Sequence, residues 1–152
     1  MKELPEEHRV VERMAPGILC REGFLGSDRR SLQDILDADR SAVQAAGSSH
    51  AQVAQRLEEI LHDTIAALGR PVQISSHLTA TWHEGMGKIP CPWADGMFHK
   101  GQMELSDRRT ARRVFVTPLS IHLIAGHGFY QGRGGRYRIE PDEIVRMLDL
   151  NR

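Results

Sequence analysis

Two histidines at the end of an apolar segment are the residues best spaced in this chain to bind a metal ion. His122 and His127 occur in IHLIAGH, and their H-x4-H spacing lies within the H-x(3–5)-H range of protein zinc ligands. Cys91 lies upstream, in IPCPWADG. A thiolate and two imidazoles suit Zn²⁺. These three residues therefore predict a zinc site.

A tetrahedral site needs a fourth ligand, and two residues near Cys91 are candidates. His99 is the first, because it shares a predicted strand face with Met103 and Leu105. Asp95 is the second, four residues after Cys91. If neither residue binds, water would occupy the fourth position, and the site would be of the catalytic rather than the structural kind. No residue is assigned a catalytic role, so the sequence does not establish whether the protein is an enzyme.

The order of these elements, over residues 88–128, resembles ββα and treble-clef-like zinc modules. In both, a cysteine-containing turn and a β-hairpin precede a helix with two ligands. The resemblance implies a structural zinc ion bound by Cys91, His122 and His127. The chain departs from the C-x(2–4)-C pattern of such modules, because Trp93 and Ala94 stand where a second cysteine is expected.

The same three residues also have a purely structural interpretation. His122 in a buried helix would hydrogen-bond a backbone carbonyl or a carboxylate. His127, beside the end of that helix, would interact favourably with the helix dipole. Cys91 would be a small buried apolar residue. A metal site requires instead that the three side chains converge.

A basic, aromatic and glycine-rich stretch, GFYQGRGGRY, follows the histidines. Residues 107–138 contain seven arginines and one aspartate, a local charge of +6 in a chain whose formal net charge is zero. Arg133, Arg136, Arg138 and Tyr137 predict a site for a small anionic ligand or, as a weaker alternative, a nucleic acid. The competing interpretation pairs the arginines with nearby acids at positions 140, 142 and 143.

Composition and length restrict the remaining alternatives. The 152 residues fit a single domain, 1–152, with a helical part at 1–70 and a β-meander with helices at 71–152. The charged N-terminus lacks the apolar core of a signal peptide, and no apolar run is long enough to cross a bilayer. We therefore expect a cytoplasmic protein with no membrane partner and with free thiols at Cys20 and Cys91. Association into a homo-oligomer through the helical part stays open.

Hydrophobic periodicity predicts an α+β fold. The helical part holds a short helix at 5–14, a helix capped by Ser27 or Asp28, and a helix that begins after Ser49 and ends at Gly69. The last two are expected to pack as an antiparallel hairpin on the sheet. Only Asp39 interrupts the apolar stripe of the second helix.

The second part is expected to contain a three-stranded antiparallel meander. Strands are predicted at 72–82, 97–105 and 112–117, with a loop at 83–96. Thr117 and Pro118 then begin a buried helix that Gly126 and Gly128 end, and a short C-terminal helix follows at 141–150.

Overall fold

The computed structural model describes residues 5–151 and confirms the α+β class: five helices and a four-stranded antiparallel sheet of order β1-β2-β3-β4. The helices are α1 (Pro5–Arg13), α2 (Leu32–Ala45), α3 (His50–Ala66), α4 (Pro118–His127) and α5 (Pro141–Met147). The strands are β1 (Val72–Gln73), β2 (Leu78–Pro90), β3 (Met97–Asp107) and β4 (Arg112–Val116). No helix in this range is long and apolar enough to cross a membrane.

Local capping explains where most helices begin. The Ser49 side chain accepts a hydrogen bond from the backbone of Gln52, and Thr117 forms a full capping box with Ser120, so both predicted N-caps are confirmed. The cap of α2 is Ser31, however, and not Ser27 or Asp28. Asp28 instead makes a bidentate ion pair with Arg30, which occupies its carboxylate before the helix begins.

The sheet differs from the predicted meander at two places. The alternation over 72–82 does not form one strand, because the chain turns back at 74–77. The Ser75 hydroxyl stabilises this turn by accepting a hydrogen bond from the Leu78 amide, while Ile74 donates to the Leu78 carbonyl. Two short segments of matching alternation therefore pair with each other as β1 and β2.

The predicted loop at 83–96 is mostly strand. β2 continues to Pro90 and pairs with β3 as a long hairpin. The pairing register shifts between Glu84 and Lys88, where two glycines lie. Gly101 sits opposite, at φ 142°, and a Cβ there would lie 2.5 Å from the Trp82 ring. The glycine is therefore needed where the indole covers the strand.

Two apolar clusters form the core, and α4 contributes to both. The larger cluster joins α3, the sheet and α5, and includes Ile121 and Ile124 of α4. The smaller one joins α1, the start of α2 and Cys91, and includes Leu119 and Leu123 of α4. Because α4 is packed on two sides, its end is held firmly relative to the turn that contains Cys91.

The helices α2 and α3 follow each other through a short connection, as expected, but their main contacts are with other elements. α2 packs chiefly on α5, and α3 packs on α4 and β2. Asp39 is buried within the apolar stripe of α2 and accepts a hydrogen bond from Arg138. Asp39 therefore links α2 to the C-terminal part of the chain.

Candidate metal centre

The turn between β2 and β3, residues 91–96, brings Cys91 and Asp95 close together. The Cys91 amide donates to the Gly96 carbonyl at 2.9 Å, and the Ala94 amide donates to the Cys91 carbonyl at 2.8 Å. Ala94 adopts a positive φ of 60°, which tightens the turn. Cys91 points into the smaller core cluster and is 1% exposed, whereas the Asp95 side chain is 41% exposed.

The two histidines of α4 converge on that turn. An ideal helix would separate residues five apart by about 140° around its axis. The His122 ring lies along the helix surface over Gly126, and His127 is the last helical residue, before Gly128 adopts the left-handed cap. The ring centroids are 5.4 Å apart.

Asp95 connects the two rings. Its Oδ1 lies 2.8 Å from Nε2 of His122, and its Oδ2 lies 2.8 Å from Nε2 of His127. A carboxylate only accepts hydrogen bonds, so in this arrangement both histidines donate from Nε2–H. The two nitrogens therefore meet at one carboxylate, each bonded to a different oxygen.

The four side chains Cys91, Asp95, His122 and His127 form a group whose potential ligand atoms all lie within 4.8 Å of one another. Three of them are the residues singled out by their spacing, and the fourth is the second candidate, Asp95. We refer to these four residues as the CDHH group.

His99 is not a member of the CDHH group. Its Nε2 bonds to Glu84 across the β2–β3 hairpin, on an exposed part of the sheet. The alternation of a strand predicts which face a residue occupies but not its position along the hairpin, and the turn at 91–96 brings Asp95 to the histidines instead. The sequence signal for Asp95 was its position four residues after Cys91.

Aromatic rings hold both imidazoles in place. The Trp93 indole stacks on His127, with centroids 4.1 Å apart and planes 7° apart. The Phe98 ring packs against His122, with ring centroids 4.5 Å apart. Neither residue has a type or spacing typical of a metal ligand, although Trp93 lies in the turn itself, two residues after Cys91.

Burial and hydrogen bonding shift the pKa values of the Cys91 thiol and the Asp95 carboxylate in opposite directions. Burial, reinforced by the hydrogen bond to Asp95, raises the pKa of Cys91 to about 12. For Asp95, burial alone would raise the pKa, but hydrogen bonds from Cys91, His122 and His127 outweigh it and hold the pKa below its usual range. The CDHH group thus contains a protonated thiol beside a stable carboxylate. Cys20 and Cys91 are both free thiols, as expected.

Arg138, one of the four residues predicted to bind an anion, is occupied within the protein. Its side chain is 6% exposed and forms a bidentate pair with Asp39 at 2.6 and 2.9 Å. It also bonds to Glu140 and to the Gln131 carbonyl. Burial opposes its charge, but the bonds to Asp39 and Glu140 dominate and raise the pKa of Arg138.

The other three residues of the predicted anion site make contacts of their own. The Arg133 backbone bonds to Ser27 and Asp28, and its side chain is on the surface. The Arg136 guanidinium lies over the rings of Phe115 and Tyr137, while the Tyr137 hydroxyl donates to Gln102.

The glycines of this loop serve backbone packing. A Cβ on Gly26 would lie 2.4 Å from the Gly135 nitrogen, because two loops pass each other at close range there. The Gly132 amide donates to the Phe24 carbonyl within the same contact. The Gly132 amide is therefore bonded within the fold.

Four other arginines of the 107–138 segment also have partners in the protein. Arg112 pairs with Glu143 at 3.1 Å, and Arg113 with Glu104 at 3.4 Å. Arg109 bonds to Asp149, and Arg108 to the Ser76 carbonyl. Much of the local positive charge is thus balanced by acids elsewhere in the chain.

Comparison of the chain with known proteins adds no relative to these observations: no protein-family model, curated protein or solved structure matches it.

Proposed function

We propose that the protein binds one Zn²⁺ ion through the CDHH group and that the ion has a structural role. The observation that carries the proposal is the convergence, within 4.8 Å, of four potential ligand atoms from two elements that are distant in the chain. A tetrahedral zinc site needs four such atoms at about 2.0–2.3 Å from the metal. The side chains would move inward from their present separations to provide them.

The chemistry of the donors favours zinc over the common hard cations. Ca²⁺ and Mg²⁺ prefer shells made of oxygen, whereas this group offers one sulfur, two nitrogens and a carboxylate. Zinc accepts all three donor types in a tetrahedral arrangement.

Binding requires a rearrangement of protons that the residues can accommodate. Each histidine breaks its Nε2–H bond to Asp95 and changes tautomer: its proton moves to Nδ1, and Nε2 presents a lone pair to the metal. Cys91 releases its thiol proton and binds as a thiolate. Asp95, already charged, turns one oxygen to the metal.

A closed shell of four protein ligands favours a structural over a hydrolytic role, because a catalytic zinc keeps one position for water. The ion would fix the 91–96 turn to the end of α4. Asp95 is the most exposed of the four ligands, so a hydrolytic alternative would have water in its place.

Metal analysis of protein purified without an affinity tag tests the proposal. We expect equimolar zinc in the wild type and substoichiometric zinc in Cys91→Ser and His122→Gln. The matched controls are Cys20→Ser and His99→Gln, which replace the same residue types outside the CDHH group and should retain the metal. Wild-type protein that holds no zinc even after zinc is added would refute the proposal.

A nucleic-acid-binding role for residues 107–138 has less support, because most of its arginines pair with acids or carbonyls of the chain. It would require affinity for oligonucleotides that decreases steeply with salt.

A further inference from the structure

A second candidate site lies away from the CDHH group, in a cleft of about 400 Å³. Residues 20–24, the irregular part of the β2–β3 hairpin, the start of α4 and the loop 131–137 surround it. None of the CDHH residues lines it. Cavities that bind small molecules measure roughly 300–1,000 Å³, so the cleft has a suitable size.

Part of the cleft wall is apolar and belongs to the smaller core cluster. Phe24 and Leu119 are each 3% exposed, and Ile89 packs against the same cluster. A ligand body placed against these residues would be removed from water, which is favourable for an apolar or aromatic group. The residues are held by the core, so this wall is preformed.

Three cationic side chains line the cleft. The side chains of Arg21, Lys100 and Arg136 make no hydrogen bond or ion pair with any residue between 5 and 151, although the Arg136 guanidinium lies over two aromatic rings. This sets them apart from the paired arginines of β4 and its preceding turn. Two carboxylates also line the cleft. Glu84 accepts hydrogen bonds from His99 and Trp82, and both lower its pKa, His99 more than Trp82. Glu22 is exposed.

A buried amide supplies the second, independent observation. Gln131 is only 5% exposed and lines the cleft, yet across the described chain its side-chain amide has no hydrogen-bond partner. No side-chain nitrogen or oxygen in that range is both fully buried and unpaired, so this amide must reach open space, and the cleft is the space beside it. Gln131 also holds a φ of 69°, a conformation that non-glycine residues rarely adopt. Backbone strain of this kind concentrates at functional sites.

We propose that this cleft binds a small organic anion. The apolar body of the ligand lies on Phe24, Ile89 and Leu119, its carboxylate or phosphate is bound by Arg136 and Lys100, and the Gln131 amide bonds to a polar atom of the ligand. Guanidinium and ammonium groups bind both kinds of anion. This site is separate from the proposed zinc site.

Fluorescence titration with anilinonaphthalene sulfonate, an aromatic anion, tests the proposal. We expect saturable binding to the wild type and about tenfold weaker binding to Arg136→Ala and to Lys100→Ala, as for a lost charge-assisted hydrogen bond. The matched control is Arg133→Ala, which removes the same charge from the same loop but not from the cleft. The uncharged analogue phenylnaphthylamine should bind more weakly than the sulfonate. Thermal unfolding followed by circular dichroism verifies that each variant is folded.

Competition identifies the anionic group. Displacement of the dye by phenyl phosphate or by benzoate supports the proposal and indicates phosphate or carboxylate, respectively. Absence of saturable dye binding, equal loss in Arg133→Ala, or displacement by neither competitor would overturn it. Because the readout does not involve zinc, its failure would leave the zinc proposal intact, and the reverse also holds.

Discussion

Asp39 and Arg138, 99 residues apart in the chain, form a bidentate ion pair with N–O distances of 2.6 and 2.9 Å, and both side chains are almost fully buried. The pair joins α2 to the loop that precedes α5. This ion pair explains why Asp39 interrupts the apolar stripe of α2 and why Arg138 is buried rather than exposed.

Removing one partner of this pair should be costly. Asp39→Ala leaves the buried Arg138 charge with Glu140 as its remaining carboxylate, and we expect the free energy of unfolding to decrease by about 3 kcal/mol. Urea unfolding measures the change. Asp37→Ala, which removes an exposed carboxylate of the same helix, should cost about 0–1 kcal/mol. The double variant Asp39→Leu with Arg138→Met should be less destabilised than Asp39→Ala, since no charge is left buried; an equal or larger loss would contradict this account.

Zinc binding should release the Cys91 proton. In the metal-free protein the thiol stays protonated at all pH values below a pKa of about 12, so acid opposes binding and rising pH favours it. We expect the zinc affinity to rise about tenfold per pH unit for each proton released. Calorimetric titrations in two buffers of different ionisation enthalpy count the protons. A zinc affinity that is independent of pH would show that Cys91 does not bind as a thiolate.

Trp93 should affect zinc affinity by orienting His127. Trp93→Ala removes the stacked ring, and we expect roughly tenfold weaker zinc binding, at the lower end of the loss typical for groups that orient metal ligands. Trp93→Phe keeps an aromatic face and should retain most of the affinity. The measurement is competition for zinc with a chelating dye. Unchanged affinity in Trp93→Ala would mean that α4 alone orients the imidazole.

Two glycines near the hairpin and α4 should respond oppositely to alanine. Gly126→Ala places a Cβ in ordinary contact, 3.6 Å from the His122 ring, within a helix, and should add about 0.5–1 kcal/mol of stability while leaving the CDHH group in place. Gly101→Ala has a positive φ and a collision with Trp82, and should cost about 1–3 kcal/mol. Chemical denaturation of both variants, with zinc content measured in parallel, provides the test. Similar stability changes in the two would contradict the packing described around Trp82.

The local features of the fold were predictable because they depend on neighbours in the chain. The caps at Ser49 and Thr117, the apolar stripe of α3 and the buried face of α4 follow from residue type and spacing within a few turns. The candidate ligands Cys91, His122 and His127 were recognisable for the same reason, since their residue types and spacings suit zinc.

The remaining features depend on contacts between distant segments. Periodicity marks the face of a strand but not the place where the chain turns, so the Ser75 turn and the extension of β2 to Pro90 emerged only in the folded protein. The choice of Asp95 over His99 depended on the turn at 91–96, and the pairing of Asp39 with Arg138 on the packing of α2 against the C-terminal elements. The sequence by itself determined which groups the protein can offer to a ligand, and the tertiary structure decided which of them meet, because only packing sets distances between residues far apart in the chain.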